Sequence, residues 1–93
     1  MRMPKTSIDL IKKVVRNHDP EAIIYLFGSR TDDSKKGGDI DLLILSQKIT
    51  LEKVIEIKLS LYDALGEQKI DIILAQETEK PFVKIAMREG IVL

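Results

Sequence analysis

Three short apolar runs set the terms for how this chain can fold: AIIYLF at Ala22–Phe27, DIDLLIL at Asp39–Leu45 and KIDIIL at Lys69–Leu74. Each is too short for a core helix, rich in residues that favour strands and flanked by turn formers, which predicts three buried strands. The apolar half of the second run is continuous, so that strand should be covered on both faces. Covering both faces takes helices, and helical patterns lie on either side of the runs. Ile8, Ile11, Val14 and Val15 share one face of a first helix, which Thr6 and Asp9 open as a capping box and Asp19-Pro20 ends. Thr50 caps a second helix and Gly66 stops it. Its apolar residues Leu51, Val54, Ile55, Ile57, Leu59, Leu61, Tyr62 and Leu65 spread over about 200°, wider than the ~100° that one core contact needs. The excess, through residues such as Ile57 and Leu59, is expected to face a partner. Lys58 lies inside this arc, as a stem snorkelling past the core. A third helix is predicted over Thr78–Gly90, with Pro81 early and Phe82, Ile85 and Ala86 inward. The order αβ(turn)βαβα predicts an α+β (mixed α/β) fold, a short three-stranded mixed sheet with flanking helices.

Composition narrows the function classes. At 93 residues the chain is expected to form one domain, residues 1–93, with a core that needs no staples. Fifteen Lys and Arg balance 15 Asp and Glu, so no direct binding of duplex DNA through charge is expected. The absence of cysteine excludes disulfides, thiolate zinc sites and Cys nucleophiles. No apolar run approaches the ~18 residues of a membrane span, and the start MRMPKTSIDLIKK lacks a signal peptide's apolar stretch. The expected location is cytoplasmic.

The chemistry resides in aspartates that interrupt the strands. Asp39 and Asp41 are two apart, so on a strand their carboxylates stand on one face, and Asp71 repeats the anomaly in KIDII. Any one of them taken alone is a turn or solvent-facing residue. Three together, beside apolar neighbours, repel unless a cation lies between them. Hard carboxylate oxygens in a cluster suit Mg²⁺ or Mn²⁺, ions that keep waters and bridge to substrate phosphates. Gly28-Ser29, ending the first run, supplies backbone N–H groups and a hydroxyl suited to phosphate oxygens. His18, on the inner side of the first helix's C-terminus, is a packed residue favoured by the helix dipole. Tyr25 and Tyr62 belong to the core or to a partner surface.

LFGSR, GDIDLLIL with nine residues between Ser29 and Asp39, and then KIDIIL together resemble the minimal nucleotidyltransferases of the polymerase-beta-like superfamily, over nearly the whole chain. The resemblance implies that Asp39 and Asp41 bind metal, that Asp71 completes the site from the next strand, and that Gly28 and Ser29, with Arg30, hold the nucleotide's phosphates. It also implies two Mg²⁺ ions and ATP as substrate. The loop departs from the family pattern: Thr31-Asp32-Asp33 replaces a second Arg and a Gly, and Gly38 replaces a Ser. Asp32 and Asp33 would repel a triphosphate, which Lys35 and Lys36 could offset.

Within that superfamily the chain is similar to the antitoxins of MNT–HEPN toxin–antitoxin systems. Relatives that modify antibiotics or tRNA carry an added helical domain for the acceptor, and little sequence follows Leu74 here. The resemblance therefore implies a partner, a helical HEPN-type ribonuclease whose tyrosine receives AMP, and a homo- or hetero-oligomer. A module of the same fold that neutralises its partner by occupation alone is the second reading. A haloacid-dehalogenase-type phosphatase, which also uses Asp-x-Asp, is excluded because Leu43 stands where that chemistry wants Thr or Ser.

Overall fold

The structure is a computed structural model that describes residues 3–28, 40–66 and 69–93. Its elements are α1 (Lys5–His18), β1 (Ile23–Phe27), β2 (Ile40–Leu45), α2 (Leu51–Leu65), β3 (Ile70–Ala75), α3 (Pro81–Glu89) and β4 (Ile91–Val92). The strands form one mixed sheet in the order β3-β2-β1-β4. β1 runs antiparallel to β2 and β4, whereas β2 and β3 are parallel. A parallel pair needs a crossover, and the 15-residue α2 provides it.

Strand alternation divides the core in two. Ile24 and Leu26 of β1, Ile40, Leu42 and Ile44 of β2 and Ile70 of β3 point to one face, where Ile11 and Val15 of α1 and Ile57 and Leu61 of α2 close over them. Alternate residues, among them Tyr25, Phe27, Leu43 and Ile73, point to the other face and meet Val83, Ala86 and Met87 of α3. β2 is central and covered on both sides, and Leu42, Leu43 and Ile44 are all fully buried. The continuous apolar run predicted this placement.

The α+β class holds, with four strands among the described residues rather than the expected three. The fourth has two residues, too few for any periodicity, and forms because Gly90 lets α3 turn straight into it. A Cβ at Gly90 would meet the Ala86 carbonyl oxygen at 2.5 Å and that of Leu26 at 3.0 Å, so only glycine fits there. Three local expectations also change. The helix α1 begins at Lys5 after Pro4, with no side-chain cap, so Thr6 lies within the helix and makes no capping box. The last helix starts at Pro81 rather than Thr78, and it turns Val83 and Ala86 inward while Phe82 and Ile85 stay exposed. On α2, Ile57 is fully buried, whereas Leu51, Ile55 and Leu59 are exposed. The spacing 54, 57, 61, 62 and 65 fills the core stripe, which leaves 51, 55 and 59 as a separate line four residues apart. Thr50 caps α2 as expected, its hydroxyl accepting from the Lys53 N–H at 3.3 Å. Lys58 sits 5.9 Å above the Tyr62 ring, its cation over an aromatic face beside the core.

Candidate active site

Register brings the site together. Phe27 of β1 lies opposite Asp41 of β2, and Asp41 lies level with Asp71 of β3, so a single row crosses three strands. In-register residues on neighbouring strands point to the same face about 4.8 Å apart, which sets the two half-buried carboxylates side by side. Both are on the α3 face of the sheet, at the end where β1 finishes and β2 and β3 begin. That end is distinct from the apolar middle of the sheet, where Leu43 and Ile73 occupy the next row.

Gly28 closes the row. Its φ is +81°, the left-handed region that favours glycine, and a Cβ built there would fall onto Asp41 Oδ2 and within 3.2 Å of Asp41 Cγ. The backbone leaving β1 is thus pressed against the carboxylate, and any side chain at position 28 would displace it. Phe27 walls the row on the side away from Asp71, its ring held edge-on by Phe82 of α3 at a centroid separation of 6.0 Å and 78°.

Of the six expected site residues, Gly28, Asp41 and Asp71 are brought together. Ser29, Arg30 and Asp39, with the loop through Gly38, lie outside the described residues. Among the described residues no group of three or more His, Cys, Asp or Glu could hold a metal ion. The donor set that is described does suit Mg²⁺: two adjacent carboxylates at a sheet end, with a backbone cradle against one of them.

A different buried carboxylate serves the fold. Asp19 Oδ2 accepts from the Ser46 hydroxyl at 2.6 Å and Asp19 Oδ1 from the Glu21 N–H at 2.9 Å. The Ser46 oxygen in turn accepts from the Lys48 N–H at 3.1 Å and the Ile49 N–H at 3.0 Å. The Ser46 hydrogen bond, then that from Glu21, with a smaller contribution from Lys48, hold the Asp19 carboxyl below the usual carboxylate range against the opposing effect of burial. The sequence marked Asp19 only as a helix stop. Its partner is 27 residues away, at the opposite end of β2 from Asp41, and no local pattern joins the two.

Among the described residues no helix is long and apolar enough to cross a membrane. No curated protein matches the chain. The family model described as "Polymerase beta, Nucleotidyltransferase" matches residues 9–93, a span that takes in the β1 turn, Asp41 and Asp71. That match covers most of the chain and agrees with its mixed α+β architecture, and the chain belongs to the polymerase beta nucleotidyltransferase family.

Proposed function

We propose that the protein is a Mg²⁺-dependent nucleotidyltransferase that moves AMP from ATP to a hydroxyl of a partner protein, and that it acts as the antitoxin of a HEPN-type ribonuclease toxin. The observation that carries the catalytic half of this reading is the register of Asp41 with Asp71, with Gly28 packed against Asp41. Asp41 and Asp71, with Asp39, would hold the ions, which supply charge neutralisation at the attacking and leaving oxygens. Gly28, Ser29 and Arg30 position the triphosphate. Asp71, at the outer end of the row, accepts the proton as the acceptor hydroxyl oxygen bonds to the α-phosphorus and the bond to pyrophosphate breaks. The protein's contribution is mainly alignment, and a strand register fixed by a buried core suits that task.

The line Leu51, Ile55 and Leu59 on α2 supports a protein partner, because an apolar stripe beside the core-facing one is costly to leave in water. The same stripe favours the second reading, a module that neutralises its partner by occupation. One experiment separates them. Purified protein, Mg²⁺, ATP and a HEPN-type candidate partner are incubated, and the partner is weighed by mass spectrometry. Addition of AMP that disappears with Asp41→Asn supports transfer. A partner that is inhibited yet unmodified, equally by wild type and Asp41→Asn, supports occupation.

A further inference from the structure

Asp19 and Ser46 are the two buried polar side chains among the described residues, 3% and 5% exposed, and each is bonded to the other. The rest of the buried set is apolar. Stability alone does not ask for such a pair, since apolar residues of similar volume would pack there without the cost of burying a carboxylate. A bond between two particular side chains does something that apolar contact cannot: it distinguishes one alignment of the strands from another.

Alignment is what the apolar run of β2 leaves open. A slip of one residue turns its buried side chains to the opposite faces and carries Asp41 into the α1 and α2 side of the core, which excludes it. A slip of two keeps every side chain on its own face. From Leu42 to Leu45 the run is leucine and isoleucine, so the core meets side chains of nearly equal volume after the shift. Ladder bonds re-form as well, because main-chain groups repeat every two residues. The site, however, is lost: Asp41 then lies level with Ile73, or Leu43 with Asp71, and the two carboxylates are no longer neighbours.

The bond from Ser46 to Asp19 does not survive that shift. Two residues of strand are about 6.6 Å, against a hydrogen bond of 2.6 Å. Neither end is free to follow. The Asp19 N–H donates to the Val15 carbonyl at 3.1 Å and its carbonyl accepts from the Ala22 N–H at 3.1 Å, which fastens it between α1 and β1. The Ser46 oxygen accepts from the Lys48 and Ile49 N–H groups at 3.1 and 3.0 Å, which fastens it to the loop that leads into α2. A slipped strand would leave the Asp19 carboxylate buried without its hydroxyl donor.

We infer that Asp19 and Ser46 are positioning residues, whose bond selects the register of β2 and so sets Asp41 beside Asp71 from the opposite end of the strand. Register selection does not rest on the proposed function; its effect on nucleotide binding does.

NMR of the labelled protein in chelator reads the register from backbone contacts between β2 and β3. Wild type, and Ser46→Thr, which keeps the hydroxyl, should each show one set of contacts, with Asp41 level with Asp71. Ser46→Ala should add a second set offset by two residues, with Asp41 beside Ile73 or Leu43 beside Asp71, at above about 5% of the folded protein. Mg²⁺ with a non-hydrolysable ATP analogue should remove the second set, because the ligand binds only the aligned row. If Ser46→Ala does not fold, Asp19→Asn, which gives up one of the two acceptor oxygens, is read in the same way. A single unshifted set in the variant overturns the inference, and the pair then only adds stability. A second set that persists with the analogue bound overturns the link to the site. If wild type binds no nucleotide while Ser46→Ala shows both registers, register selection stands and the nucleotidyl-transfer reading falls.

Discussion

Asp41 and Asp71 are held level by backbone register, so their proximity does not depend on any attraction between them. Two carboxylates about 5 Å apart repel by up to about 3 kcal/mol at an effective dielectric near 20, less with solvent screening. Gly28 is the more sensitive position. Gly28→Ala must place a Cβ onto the Asp41 carboxylate from a left-handed backbone, and we expect it to cost about 1–2 kcal/mol by chemical denaturation and to abolish nucleotide transfer. Asp19 serves the fold through its hydrogen bonds. Its folded pKa is depressed, so its stabilising contribution is fully present above the unfolded value near 4 and is lost as pH falls through the lower folded value. Ser46→Ala removes the main cause of that depression and orphans two N–H groups, so it should lower stability by about 1–3 kcal/mol at neutral pH and flatten the acid limb of a stability-against-pH curve. Gly28 and the strand positions of Asp41 and Asp71 were legible because local chemistry marks them. The Asp19–Ser46 bond was not, because nothing near either residue points to the other.

Element boundaries follow local signals closely where a single residue decides them, as Thr50 and Gly66 do for α2. They drift where tertiary packing decides. Thr6 could have capped α1, yet Met3 packs into the core and the helix starts two residues earlier, at Lys5. The width of the apolar arc on α2 was read correctly, but the sequence could not say which part meets the sheet. Ile57 does, and Leu59 does not. Leu59→Lys should therefore leave the melting temperature within about 2 °C of wild type and weaken association with a partner, whereas Ile57→Lys should unfold the domain outright. Circular dichroism melts beside a binding titration check both. Loss of fold in Leu59→Lys would mean that the stripe is core.

At the scale of the molecule, the fold converts three stretches distant in sequence into one row: the end of β1, the start of β2 and the start of β3. The class of fold was accessible from the pattern of the runs; the level placement of Asp41 and Asp71 needed the β2–β3 register, and Asp39 lies outside the described residues. Strand order and the two-residue β4 were not accessible, since pairing between distant segments is fixed by how helices cover both faces of β2. What most needs testing is that Asp41 belongs to a metal and nucleotide site and is no structural residue. Wild type and Asp41→Asn are melted in chelator, and again in Mg²⁺ with a non-hydrolysable ATP analogue. We expect the variant to be at least as stable as wild type in chelator, and the ligands to raise the wild-type melting temperature by several degrees and the variant's much less, because a ligand stabilises only the state it binds. A variant clearly destabilised in chelator, with the same ligand response as wild type, would contradict the assignment of the site.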